Sequence, residues 1–171
     1  MLALDYVLKG CAVYCDGFGK AGTAEKITIP PIKKKSESFR GGGMIGSRKM
    51  SLGYDDMEFD FTLNAFDPQV LKLAGVSKGA TVAFAIRGYF VGDLGKEHTA
   101  VYMLSGEIME LDGGSWESGK KAELKIKVSL VAQKLTIDNS EIFDIDIPNG
   151  IDSWGGVDNG ASMRAALGLA G

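Results

Sequence analysis

Two stretches of this chain alternate apolar and polar side chains with a period of two, and that pattern limits the fold more than any other feature. In 57–65, Met57, Phe59, Phe61, Leu63 and Ala65 fall on one side, and Glu58, Asp60, Thr62 and Asn64 on the other. In 122–130 the apolar residues alternate as cleanly with Glu123, Lys125, Lys127 and Ser129. Successive side chains point to opposite faces only in an extended strand, so each stretch predicts a strand with one face buried. Thr81 to Phe90 behaves alike, placing Val82, Phe84, Ile86 and Phe90 together. Further strands are expected at 11–15, 32–39, 98–111 and 141–147, with a turn at Asp138-Asn139-Ser140. Helix is scarce. Asp67-Pro68 predicts a short helix running to about Gly75, with an acidic N-cap and proline in the first turn, and a second is expected over 161–169. The expected class is mainly β: an antiparallel β-sandwich or barrel with one or two short α-helices.

The 171 residues suit a single domain spanning 1–171, with no internal repeat, linker or low-complexity tract. A formal net charge of -3 gives no basic surface with which to displace phosphate counterions, so specific nucleic-acid binding is not expected. The N-terminus lacks the basic start of a signal peptide, and no apolar run approaches the roughly 18–20 residues that span a bilayer. Cys11 and Cys15 lie four apart in a strand, about 13 Å along it, too far to bridge. Two thiols and no disulfide pattern suit a reducing cytoplasm. The 24 glycines are about twice the usual share and gather in 17–22, 41–46, 113–119 and 150–160, which read as loops.

None of the motifs that resemble chemical sites has the context it needs. Gly17-Phe18-Gly19-Lys20-Ala21-Gly22 has dinucleotide-loop spacing, but residues 23–31 are too short and too β-branched a stretch for the required helix, so the motif reads as a hairpin turn. Gly41 to Gly46 has P-loop glycine spacing with Ser47 where lysine belongs. His98 is the sole histidine, which excludes multi-histidine metal sites. Asp55, Asp56, Glu58 and Asp60 lack a calcium loop's glycine and terminal glutamate, and read as a solvated strand face. Lys33, Lys34 and Lys35 read as a solvated run. No catalytic, cofactor-binding or metal-ligating residue is expected, and no cofactor.

What remains is a polar-faced β protein with two long hairpins, expected as 32–39 with 55–66 and as 98–111 with 122–137. The stretch Ile29-Pro-Pro-Ile-Lys-Lys-Lys-Ser-Glu-Ser-Phe-Arg-Gly-Gly-Gly-Met-Ile-Gly46 then carries a family resemblance. A proline element, a charged strand and an aromatic-Arg-Gly-x-Gly-Met-x-Gly loop lead through Ser51-Leu52-Gly53-Tyr54 into an acidic strand. In this the chain resembles the major tail tube proteins of contractile-tailed bacteriophages, the myovirus tail tube family. Residues 138–147 and Asn149-Gly150 are similar to that family's C-terminal part.

The resemblance implies a structural virion protein without enzymatic activity. Hexameric rings would stack into the inner tube of a contractile tail, and two hairpins per subunit would contribute to a multi-subunit barrel. The implied partners are other copies of the chain, the tail sheath, baseplate and tail terminator proteins, the tape-measure protein in the bore, and double-stranded DNA in transit, without membrane contact. Physics agrees, since a closed ring pairs strand edges that a lone subunit would expose. Burying charge is prohibitive, so the polar faces of the inner strands should line the water-filled bore. The expected lumen residues are Glu58, Asp60, Thr62, Asn64, Glu123, Lys125, Lys127 and Ser129, joined by Lys33, Lys35 and Glu37. The expected inter-ring stacking loop, within about 40–52, is Arg40, Gly41, Gly42, Gly43, Met44, Ile45, Gly46, Ser47 and Arg48; a C-terminal segment, 148–171, lies far along the chain from it. Two other readings stay open: the tube of a tailocin or type VI secretion system, and a monomeric β-sandwich binding module. The latter needs an aromatic platform, for which Trp116 and Trp154 are the candidates.

Overall fold

The computed structural model of the chain describes residues 6–16, 18–19, 24–75 and 81–169. The glycine motif 17–22 lies largely outside them. In chain order the elements are β1 (Tyr6–Cys15), β2 (Phe18–Gly19), β3 (Ala24–Thr28), β4 (Lys34–Phe39), β5 (Arg48–Tyr54), β6 (Met57–Leu63), α1 (Pro68–Ala74), β7 (Val82–Gly92), β8 (Glu97–Asp112), β9 (Leu124–Ile137), β10 (Ser140–Asp146), β11 (Ile151–Trp154), β12 (Val157–Asp158) and α2 (Ala161–Ala166). The pairings described are antiparallel, so the expected class holds.

β9 organises the main sheet. One of its edges pairs with β8, from Ile137↔Ala100 to Lys125↔Asp112. The other edge is divided: Leu124–Leu130 pairs with β6, and 132–137 pairs with β10. From that fork the sheet runs outward through β8, β7 and β1 on one side and through β10, β11 and β12 on another, while β6 carries β3. The β9–β10 turn is tight because Asp138 and Asn139 both take positive φ, at 48° and 64°, as a two-residue hairpin turn requires. α1 starts as its sequence predicts, with Asp67 Oδ1 accepting from the Gln69 N–H at 2.9 Å and Pro68 in the first turn.

The alternating residues make the core. Met57, Phe59, Phe61 and Leu63 of β6 and Leu124, Ile126, Val128 and Leu130 of β9 are all buried, as are Val82, Phe84 and Ile86 of β7. Phe59 meets Phe84 edge-on at 5.3 Å between centroids and lies stacked on Phe61 at 5.6 Å. Each such side chain contributes about 1.5–3 kcal/mol on full burial. Gln133 is a polar side chain buried beside this core; its Nε2 donates to Met57 Sδ at 2.8 Å.

The core covers only part of the sheet. The same face continues along β1, β7, β8 and β9 through the rows Val13–Ile86–Tyr102–Leu135 and Cys11–Gly88–Ala100–Ile137 to Leu8–Phe90–His98. β6 pairs with β9 only as far as Leu130, and beyond that point an open cavity of about 580 Å³ lies against these rows.

One strand pairing departs from the sequence-based expectation. β4 does not pair with the strand at 57–63. It pairs with β5, from Lys34↔Tyr54 to Phe39↔Arg48, as a separate two-stranded sheet. The glycine-rich turn lets the chain fold straight back at Arg48, whereas β6, with its wholly apolar face, is far better satisfied against β9.

Candidate functional site

Register turns the polar halves of the alternating strands into one continuous face. β6 and β9 bring Glu58 opposite Ser129, Asp60 opposite Lys127 and Thr62 opposite Lys125. Asn64 and Glu123 lie just past the last pair, Leu63↔Leu124. β8 extends each row beyond β9, with Glu107 opposite Ser129, Glu110 opposite Lys127 and Asp112 opposite Lys125. β3 extends two of them on the far side: Thr28 stands opposite Asp60, where its Oγ1 donates to Oδ2 at 3.2 Å, and Lys26 opposite Thr62. Directly opposed side chains on one face sit about 4.5–5.5 Å apart at Cβ, so each row places lysine among acids and hydroxyls.

The β3 and β8 members of this face are not legible from alternation alone. For β8 the signal is Glu107-Ile108-Met109-Glu110-Leu111-Asp112, an alternation with one residue too many; the structure places a β-bulge between Ile108 and Glu110 that resets the phase. With them the face carries Glu58, Asp60, Glu107, Glu110, Asp112 and Glu123 against Lys26, Lys125 and Lys127, a mixed face that leans acidic.

Lys33, Lys35 and Glu37 stand elsewhere. Lys33 precedes β4, and Lys35 and Glu37 belong to the β4–β5 sheet, where Glu37 is opposite Met50 and shares a face with Phe39. Of the residues expected to form a stacking loop, 40–47 form the β4–β5 turn, with Gly43 at φ 85°, and Arg48 opens β5. Phe39, Ile45, Met50 and Leu52 are all exposed. The base of this hairpin is tied down: Tyr54 Oη donates to Asp152 Oδ1 at 2.6 Å, and Trp154 Nε1 donates to both Tyr54 Oη and Asp152 Oδ1. Burial and the bond to Asp152 raise the Tyr54 phenol above its ordinary range, so it stays a donor at neutral pH.

The C-terminal edge is held by ion pairs. Arg164 of α2 bonds Asp158 at 2.6 Å and the Gly150 carbonyl at 3.0 Å; the arginine bond draws the Asp158 carboxyl below its usual range. Lys134 bonds Glu141 at 2.8 Å and lowers its pKa in the same way. At the β9–β10 turn Asp138 accepts from the Thr99 N–H at 2.9 Å and pairs with His98 Nδ1, and these bonds lower its pKa. Trp116 packs edge-on against Phe66, while Trp154 leans on Phe143, so the two indoles form no common platform. Among the described residues no group of three or more His, Cys, Asp or Glu is placed to hold a metal ion, and no helix is long and apolar enough to cross a membrane.

Residues 5–168 match the family model described as phage tail tube protein FII. The chain is 31% identical to the tail tube protein of Escherichia phage P2 over 172 residues, covering 98% of this chain and 100% of that one. It is 27% identical to the major tail tube protein of Serratia phage KSP20, over 88% of each. Among solved structures, the sheath/tube terminator of the extracellular contractile injection system PVC superposes with a TM-score of 0.63 at 12% identity, covering 80% of this chain and 99% of that one; at that identity the likeness is one of fold.

Proposed function

The chain belongs to the phage tail tube protein FII family, a structural component of the contractile virion tail, and from that membership we propose that six copies close into a ring whose bore is lined by the polar face of β3, β6, β8 and β9. Rings stack through the β4–β5 hairpin and its 40–47 turn. The whole chain acts as one tube domain, its C-terminal segment contributing β11, β12 and α2 at the β10 edge. The outer surface meets the sheath, the ends of the tube meet terminator and baseplate proteins, and the bore holds the tape-measure protein before DNA passes. The work is mechanical, and no chemical step is assigned to any side chain.

The in-register acid–lysine rows carry this reading. A strand face with that much charge stays in water while its opposite face fills the core. An acidic-leaning wall also suits passage of DNA, because a basic one would exchange counterions with each phosphate and brake it. Asp60→Cys and Lys127→Cys, each in a background lacking Cys11 and Cys15, test the assignment. A thiol reagent too bulky for the bore should label both positions in free subunits and neither in long tubes. Full labelling of intact tubes puts this face outside.

A further inference from the structure

We infer that the open apolar groove on β1, β7 and β8 is the receptor for the β4–β5 hairpin of a second copy of this chain, with Phe39 and Met50 as the inserted anchors. The inference rests on the tube reading and identifies the surface that the hairpin meets.

Two unfinished surfaces on one chain lead to it. The first is the groove, lined by Tyr6, Leu8, Ile86, Phe90, Tyr102 and Ile137, almost entirely apolar. It is the continuation of the core face beyond the point where β6 stops pairing with β9. Beneath it the strands are ordinary sheet; its other side is open. Burying such a face is worth about 25 cal/mol per Å², so leaving it wet is a standing cost.

The second is the hairpin. All six residues of β4 are exposed, as is every residue of β5 except the half-buried Tyr54. A two-stranded ribbon is marginal at best when nothing packs on it. Yet this one carries Phe39 at 49% exposure and Met50 at 44% on one face, with Leu52 at 61% in the adjoining bulge; Arg48 and Glu37 share that face, and their charges stay at the open side of the groove. The hairpin lacks a floor, and the groove lacks a covering ribbon.

Surface area indicates that a second copy supplies each. The chain exposes 11286 Å², whereas a compact folded monomer of its 18.2 kDa should expose about 8,100 Å². The surplus of about 3,000 Å² is the size of a permanent subunit interface and well beyond what a transient contact buries. A homopolymer offers every groove one hairpin and every hairpin one groove, a heterologous contact that repeats along the assembly.

Cys11 provides a native reporter, because its exposed thiol lines the groove while Cys15 is buried. In purified full-length protein, maleimide should label Cys11 in free subunits and lose that reaction in assembled tubes. Subunits carrying Glu37→Cys with Cys11→Ser, mixed with wild-type subunits and assembled, should give a covalent heterodimer with a short bismaleimide. Glu37 flanks Phe39 on the anchor face, so this variant leaves both anchors in place. Phe39→Ser should keep the subunit's circular dichroism and melting profile yet lose tubes. Tubes that form with Cys11 still reactive, or with no heterodimer, overturn the inference and leave the tube reading intact. A protein that stays monomeric at every concentration overturns both. Protection of Cys11 without the heterodimer would assign the groove to another segment and reject the hairpin.

Discussion

At the scale of single residues, close approaches decide more than composition does. Gly106 in β8 faces a β9 backbone so near that an added Cβ would lie 2.2 Å from the Ser129 carbonyl oxygen. The contact sits beside the bulge between Ser105 and Gly106, where neither backbone is free to retreat. Gly106→Ala should therefore destabilise the subunit by about 1–3 kcal/mol, read as a lowered urea midpoint with unchanged m-value. The acids of the C-terminal edge make a second prediction. Asp138, Glu141 and Asp158 all titrate below their ordinary values in the fold. A carboxylate with a depressed folded pKa stabilises the fold above its unfolded pKa and loses that contribution as pH falls. Stability of the free subunit should hold from neutrality to about pH 5 and decline below about pH 4. Asp158→Asn should flatten the acid limb of a melting-temperature profile; an unchanged limb would remove Asp158 from the account.

At the scale of elements, the hairpins divide the labour. Where β6 pairs with β9, the β8–β9 ribbon has one face in the core and the other charged, so that half needs no partner to be ordered. β4 and β5 have no such support except at the Tyr54–Asp152–Trp154 knot. Deleting residues 42–47 should leave near-UV circular dichroism and the subunit's melting temperature nearly unchanged while abolishing tubes in negative-stain micrographs. Tubes of normal length from this variant would remove the turn from stacking. Cutting the knot with Tyr54→Phe should matter less to folding than to assembly, because the lost bonds fix the direction of the ribbon and leave the core untouched. The measurement is a raised critical concentration for tubes beside a nearly normal subunit melt.

At the scale of the whole molecule, a chain with about 3,000 Å² more exposed surface than its mass warrants is built to be finished by neighbours. Association that buries this surface stabilises only the folded form, so apparent stability must rise with concentration. Melting should move to higher temperature as the protein is concentrated through the assembly threshold, and sedimentation should show rings or tubes over the same range. A melting temperature independent of concentration, with sedimentation as a monomer, would contradict this.

Much of this was written in the local sequence. The alternation of 57–65 and 122–130 determined which side chains enter the core, because a strand with one charged face has a single tolerable orientation. Asp67-Pro68 determined where α1 begins, and Asp138-Asn139 the tight turn into β10. Glu58, Asp60, Lys125 and Lys127 were legible as one polar set for the same reason. What only the tertiary structure decided is who lies beside whom. Nothing local in Lys34–Phe39 distinguishes Arg48–Tyr54 from Met57–Leu63 as its partner, since backbone hydrogen bonding is the same for both; the competition is settled by the apolar face of β6, which is buried in the core when β6 pairs with β9 and faces Phe84 of β7. The division of β9 between β6 and β10, the bulge that brings Glu110 and Asp112 onto the charged face, and the groove left where β6 ends all stem from that pairing. They are consequences of long-range register, which periodicity along one strand does not encode.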